Sequence, residues 1–410
     1  MAEKISFEAP RGMRDFYPED MAWRNRVFDA FRAAGAAAGF EQYDACVVES
    51  YDLLARKAGE EVGEQIYHFL DKSDRHLALR AEMTPTLARM VAQRQKELSF
   101  PLKWTTIAQC FRYERMTKGR KREHYQWNVD IIGEESVLAE AEVIGAAVDA
   151  LRRMGLSDDD FRVRVSSRRF LGELLERSGI PAGLHAQVFL ALDKRGKMPD
   201  SEIAVMLRDG GLSDADVRAA FAVMDTKDCS GCPELAELFR LAEVAGFADV
   251  LQFDISVIRG LSYYTGIVFE CFDAKGEFRA IFGGGRYDNL LTTIGGEPAT
   301  AVGLGFGDVV VTELLKARLG EGAAAARKGV AVGFMFPEQR DAALALAAKL
   351  RASGEAANLA LHPQKPKKFF ARADQSGAAK AVFLGPDDVA RGAARMKDLA
   401  TREETELCLS

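Results

Sequence analysis

Between positions 124 and 131 the side chains alternate without a break. His124, Gln126, Asn128 and Asp130 fall on one face of an extended chain, and Tyr125, Trp127, Val129 and Ile131 on the other. The apolar set must turn into a core, so the polar set lines the space opposite. Just upstream, Thr106, Ala108, Cys110 and Arg112 share one face of an incoming strand, and three of the four are small, which leaves room in front of an arginine. The pattern predicts a hairpin over 111–133 with one working face, open to something flat and anionic.

Elsewhere the pattern switches between helix and strand. A helix is expected from about residue 21 to 39 in the numbering of the chain, with Asp20 as a cap and Gly39 as a stop. Two short strands, 66–70 and 76–80, follow around a Lys72-Ser73-Asp74 turn. Glu82 and Thr84 stand just before the next helix. Thr84 before Pro85 fits an N-cap with Pro at the first position, and a carboxylate followed by a hydroxyl also suits an ammonium group. Beyond the hairpin come a helix over 137–154, a strand over 161–166, and a stretch of about residues 168–247 that is almost all helical, broken at Gly179-Ile180-Pro181, Pro199 and Gly210-Gly211. A mostly helical insertion between two parts of a sheet is the simplest account. Strand pattern returns over 250–282. The Gly283 to Gly285 run either lets the backbone approach a nucleotide or makes a tight turn into a helix at Arg286. Gly303, Gly305 and Gly307 precede another helix without the βαβ unit and acidic partner of a dinucleotide fingerprint. A small-residue linker, 321–327, joins residues 1–320 to a compact α/β module over 328–410.

Charge sharpens this picture. The 112–123 loop carries six Lys or Arg against two Glu in a chain whose net charge is −6. A local reversal of sign of this size fits a phosphate-bearing partner, and equally a solvated hairpin tip. Residues 328–410 hold 13 Lys or Arg and 10 Asp or Glu, a positive module on an acidic body, which fits a nucleic-acid partner. With 48% hydrophobic and 28% charged residues the composition is that of an ordinary soluble globular protein. No apolar run approaches the roughly eighteen residues of a membrane span, and the first residues lack the apolar core of a signal peptide, so a cytoplasmic protein without a membrane partner is expected. Six cysteines are too sparse for a disulfide framework and suit a reducing compartment. Only Cys229 and Cys232 form a CxxC, and a turn before a helix opening at Pro233 accounts for it better than a zinc or redox site.

FRYER, a basic loop and REHYQ resemble motif 2 of the class II aminoacyl-tRNA synthetases, and YQWNVDIIG is similar to their histidyl branch. Two further segments agree: RGLSYYTG at 259–266 resembles the histidine-specific signature of the histidyl-tRNA synthetase family, and GGGRYD at 283–288 resembles its second signature. With RGMRDFYPED near the start and the C-terminal module, the resemblance covers nearly the whole chain. It implies an α+β catalytic domain with an antiparallel sheet over 1–320, the helical insertion near the acceptor stem of the tRNA, and an anticodon-binding α/β domain over 328–410, with PQKPKKFFARAD as one place for RNA contact. FEQYDACVVES resembles motif 1, the dimer-forming segment, with Cys46 where the family usually has Pro. A homodimer is therefore expected.

The implied reaction joins ATP and L-histidine into histidyl-adenylate and transfers the histidine to the 3′ end of the histidine tRNA, with Mg2+ accompanying ATP. A carboxylate must meet an α-phosphate, so catalysis is positioning and charge stabilisation without a protein nucleophile. A planar guanidinium bridges such a pair, which is the catalytic role implied for Arg112 from one side and Arg259 from the other, both also contacting ATP. Glu114 is expected near the adenine and Arg120 near the terminal phosphates. By the same resemblance Glu82 and Thr84 hold the histidine α-amino group, and Asp130 and Tyr264 take the imidazole. Tyr263 adjoins them, and Gln126 reaches the backbone end, about 13 Å along the strand from Asp130. The chain departs from the family in two places. Motif 3 normally ends in an arginine that contacts the ATP phosphates, where this chain has Val310; Arg120 is the substitute expected. Met116 and Thr117 stand where many bacterial enzymes carry Pro and Gln. Val310 keeps a second reading open, a catalytically inactive regulatory or tRNA-sensing relative.

Overall fold

The apolar face of the hairpin closes on Trp127, which is 1% exposed. Its indole Nε1 donates to Thr105 Oγ1 at 2.7 Å, and its ring stacks on Phe31 with centroids 4.8 Å apart. Phe306 meets Phe31 edge-on from the neighbouring strand, so three elements share one aromatic knot. The computed structural model describes residues 6–57, 65–115, 119–195, 198–258, 264–320, 322 and 327–409. In it the hairpin strands run Leu102–Phe111 and Glu123–Ile132, with Thr106 opposite Asn128, Ala108 opposite Gln126 and Cys110 opposite His124. That register is the one the alternation requires, because a one-residue slip would turn Trp127 and Val129 outward.

The hairpin lies inside an eight-stranded sheet ordered Glu41–Gln42, Leu102–Phe111, Glu123–Ile132, Ala301–Gly307, Phe282–Arg286, Ile267–Asp273, Phe161–Ser167, Leu251–Phe253. The outermost pair at each end is parallel and the rest antiparallel. Helices Pro18–Ala37, Leu138–Arg153 and Asp308–Leu319 pack against the hairpin and its neighbour. A three-stranded sheet, Val48–Ser50, His76–Leu79, His68–Leu70, lies upstream of the Thr84–Arg94 helix. Helices Arg168–Arg177, His185–Lys194, Asp200–Asp209 and Asp214–Met224 bury Leu171, Leu175, Val188, Leu192, Ile203 and Leu207 among themselves, and Pro233–Ala245 follows them.

The chain divides into two compact units, Met1–Gly320 and Glu321–Ser410. The second is a five-stranded sheet ordered Ala357–Leu359, Val330–Phe334, Lys380–Leu384, Ala393–Asp398, Glu404–Cys408, parallel over the first three strands and antiparallel over the last two. Helices Arg340–Ala352, Pro366–Gln375 and Pro386–Arg391 accompany it. Its closing hairpin is not visible as a strand pattern, since Ala393–Asp398 mixes small and charged residues on both faces.

Three boundaries differ from expectation. The first helix begins at Pro18, not near Met21, because Pro presets the first helical φ and Asp20 accepts from the Tyr17 amide at 3.3 Å, which places Asp20 inside the first turn. Thr84 is the first helical residue and Met83 the cap, since Met83 already has helical dihedrals and its carbonyl accepts from Leu87. Gly283 to Gly285 make no turn into a helix. They form a strand paired on both edges, Gly283 with Glu270 and Gly305, because two neighbouring strands override the weak strand preference of glycine.

Arg286, at the end of that strand, is buried and bidentate to Glu140: Nε and Nη2 each lie 2.7 Å from a carboxylate oxygen. Its remaining N–H groups donate to the Glu134 and Ser136 carbonyls at 3.1 Å, closing the loop before the Leu138–Arg153 helix. Removing Glu140 leaves the buried guanidinium with only the more distant carboxylate of Asp288, at 3.6 Å. Glu140→Gln is expected to lower unfolding free energy by about 3–5 kcal/mol, measured by urea unfolding followed by far-UV circular dichroism; a loss below about 1 kcal/mol would contradict the burial argument.

Candidate active site

The polar face of the hairpin continues sideways onto two strands that carry almost no side chains on that face. Gly303 and Gly305 pair with Asp130 and Asn128, and Gly285 and Gly283 pair in turn with Gly303 and Gly305. Directly opposed residues of an antiparallel sheet share a face, so these glycines make a flat floor beside Gln126, Asn128 and Asp130. The floor is required by close approach. A Cβ at Gly303 would stand 1.9 Å from Asp130 Oδ1, and one at Gly305 would stand 2.2 Å from Gln126 Nε2. Both polar side chains therefore lie across the next strand, at opposite ends of one shallow trough.

Asp130 is 1% exposed and its Oδ1 accepts from the Tyr287 hydroxyl. Tyr264, 7% exposed, packs with Tyr287 and Val268, its ring edge 3.0 Å from the position a Cβ of Gly285 would take. The Tyr43 phenol is held well above its ordinary pKa by burial and then by Asp130, so it stays neutral. The Tyr43 hydroxyl and Gln126 Oε1 are buried with no hydrogen-bond partner among the described residues. Buried polar atoms are nearly always satisfied, so such a set marks where a polar ligand belongs.

Arg112 lies at the mouth of the hairpin, its Nε donating to the Ala81 carbonyl at 2.9 Å and its Nη1 3.9 Å from Glu114. Glu114 also pairs with Arg120 at 3.0 Å. Glu82 follows Ala81 directly, and Thr84 is buried at the start of its helix. On the same face Cys110 has its thiol pushed up to about 12 by burial, so it is a small neutral neighbour and not a nucleophile. Arg259 and Tyr263 lie outside the described residues, as do Met116 and Thr117. At the CxxC, the Cys232 amide donates to the Cys229 carbonyl at 2.9 Å and the Pro233 helix starts there, the turn that the spacing predicts; burial raises both thiols, Cys232 to about 11.

Four contributors were not apparent from the sequence pattern. Tyr43 and Tyr287 lie within FEQYDACVVES and GGGRYD, segments singled out as a whole without a role for either tyrosine. Arg168 donates to the Ile258 and Tyr264 carbonyls. Arg14 pairs with Glu123 at 2.6 Å and Asp308 at 3.0 Å, tying the N-terminal segment to the back of the hairpin. The one available signal was RGMRD itself, a charged segment placed just before a helix.

The first unit is thus an eight-stranded, mainly antiparallel sheet in which a hairpin with a basic connecting loop adjoins a glycine floor, and a separate α/β unit follows it. The histidyl-tRNA synthetase family model matches residues 12–307 and an anticodon-binding domain model matches 329–410. The chain is 43% identical, over its full length and 86% of the relative, to a chloroplastic/mitochondrial histidine–tRNA ligase of Arabidopsis thaliana. It is 36% identical to a histidine–tRNA ligase of Opitutus terrae over 98% of this chain and 96% of that one. The chain belongs to the histidyl-tRNA synthetase family. Among solved structures, the histidyl-tRNA synthetase from Nostoc shares the fold with a TM-score of 0.83 at 22% identity, covering 99% of this chain and 97% of that one. A Bacillus halodurans protein described as an ATP phosphoribosyltransferase regulatory subunit/histidyl-tRNA synthetase gives a TM-score of 0.75 at 25% identity, over 94% of this chain and all of that one.

His124, on the working face beside Arg112, is pushed down to about 3 by burial, then by Arg112 and Arg14. Its folded pKa is below its unfolded value, so the unfolded chain gains a proton that the native protein refuses. Stability is therefore lost on acidification from about pH 6.5 toward 3, by about 1.4 kcal/mol per pH unit from this group. Urea unfolding at several pH values between 7 and 5 is expected to show a shallower pH dependence for His124→Gln than for the parent protein, and equal slopes would rule out a buried neutral imidazole.

Proposed function

We infer that this family member is a histidine–tRNA ligase, which activates L-histidine with ATP and transfers it to the 3′ end of the histidine tRNA. The observation that carries the reading is the trough itself, with Asp130 and Tyr264 at one end, Gln126 at the other and Arg112 at the mouth of the same hairpin. In the first step a histidine carboxylate oxygen bonds to the α-phosphorus of ATP while the bond to the β-phosphate bridge breaks and pyrophosphate leaves. In the second a terminal ribose hydroxyl of the tRNA attacks the activated carbonyl and AMP leaves.

Asp130, held by Tyr287, accepts from one imidazole nitrogen, and the pocket rejects side chains that cannot make that bond. Glu82 and Thr84 hold the α-ammonium, and Gln126 takes the backbone end. Tyr263 completes the histidine pocket beside Tyr264. Arg112 and Arg259 bridge the carboxylate and the α-phosphate from opposite sides, while Glu114 meets the adenine and Arg120 the phosphate tail. Among the described residues no group of three His, Cys, Asp or Glu side chains forms a metal cage. Mg2+ accompanying ATP would supply charge shielding for its phosphates. The motif 1 segment makes the protein a homodimer, and the cytoplasm is its compartment. The second reading, an inactive regulator, rests on Val310; full-length relatives at 36–43% identity are named as ligases, which favours the enzyme.

Pyrophosphate exchange into ATP, run with each of the twenty amino acids in turn and without tRNA, is expected to proceed with histidine alone. Silence with all twenty in a folded protein that still binds histidine would favour the regulator. Arg259→His is expected to abolish exchange while leaving the fold intact, and near-normal turnover would sink the assignment of that residue. Tyr287→Phe frees Asp130 from its orienting hydroxyl. A rise of roughly 10-fold in the KM for histidine is expected, with the KM for ATP unchanged.

A further inference from the structure

We propose that Arg279 binds the terminal phosphates of ATP, in the place where the helix of the site presents Val310. The inference rests on the synthetase reading above and adds a residue to it. Three segments distant in sequence meet at one point of the hairpin loop. A Cβ at Gly119 would stand 3.5 Å from Val310 Cγ2 and 3.7 Å from Arg279 Cδ. Gly119, Arg279, Val310, Phe278, Glu277 and Glu313 line one cavity of about 250 Å³. Val310 sits in the first turn of the Asp308–Leu319 helix and is 9% exposed, so a small aliphatic side chain occupies the helix side of this cavity and leaves its volume to an incoming arm.

Charge balance decides which arm. Arg112 and Arg120 straddle the single carboxylate of Glu114, at 3.9 and 3.0 Å, so the charge of both is already partly met. A triphosphate tail carries several negative charges and draws a further cation whose charge is not met within the protein. Arg279 is exposed, and among the described residues no carboxylate forms an ion pair with it. Its neighbour Glu277 is turned to Arg318 at 3.6 Å. The contacts run in order from Arg112 through Glu114 and Arg120 to Gly119 and then Arg279. An ATP whose α-phosphate lies at Arg112 and whose tail follows the loop thus ends beside a guanidinium able to grip it with two parallel N–H bonds.

The test is histidine-dependent pyrophosphate exchange with the full chain, comparing the parent protein, Arg279→Gln, Arg279→Lys and the double variant Arg279→Gln/Val310→Arg. Thermal unfolding of each variant is recorded alongside. The expected result is a KM for ATP raised roughly 10- to 100-fold in Arg279→Gln, as for loss of one charge-assisted contact. The KM for histidine stays within about twofold, Arg279→Lys recovers part of the loss, and Val310→Arg restores ATP binding from the helix side. A merely structural arginine would not be rescued from position 310. An unchanged KM for ATP in Arg279→Gln, with the parent active, overturns the proposal and leaves the synthetase reading standing. A defect confined to the KM for tRNA in aminoacylation also overturns it. A parent protein without histidine-dependent exchange removes the synthetase reading and this one together.

Discussion

Asp130 and Gln126 can lie flat across the neighbouring strand only because positions 303 and 305 carry no Cβ, and the rest of the site is arranged around that absence. With any side chain there, both polar groups would have to stand upright and the trough would fill. The second glycine strand widens the floor, and Tyr264 and Tyr287 close the Asp130 end from beyond it. Glycine weakens strands taken alone. Here the penalty is tolerated because both glycine strands are central in the sheet and paired on each edge, with Phe269, Phe282 and Phe306 packed on the reverse side.

The back of the hairpin is held by ions. Arg14 reaches Glu123 and Asp308, and Asp308 also accepts from the Tyr125 amide at 2.9 Å. Burial raises Asp308 while Arg14 opposes it. These contacts bind the N-terminal segment, the returning strand and the Asp308–Leu319 helix into one unit, so the helix that carries Val310 is registered against the same strand that carries Gln126 and Asp130. Arginines in this unit divide by surroundings. Arg286 is sealed against Glu140 and two carbonyls and serves the fold; Arg112 and Arg120 share one carboxylate at a half-open mouth and remain available to an anionic ligand.

Much of this was legible in the order of residues. Strict alternation placed Gln126 and Asp130 on the working face and Trp127 in the core, since period two is a property of any extended chain. The helical run after residue 168 and the α/β module near the C-terminus followed from their own periodicities. The misreadings were of two kinds. At Thr84 and at Asp20 the local signals were real but displaced by one or a few residues, because a proline marks the first turn without saying which residue precedes it. At Gly283 to Gly285 a turn was one of two readings the composition allowed, and two flanking strands made the run extended instead.

What the sequence by itself determined is which side chains travel together: the polar face, the basic loop and the glycines at alternate positions. What only the tertiary structure decided is which of them face each other. Tyr287 meets Asp130 across 157 positions, and Arg14 meets Glu123 across 109. The meeting of Arg279 with Gly119 and Val310 is of the same kind. Such pairs depend on the order in which strands enter the sheet, which is set by the burial of the whole apolar face and not by any local period.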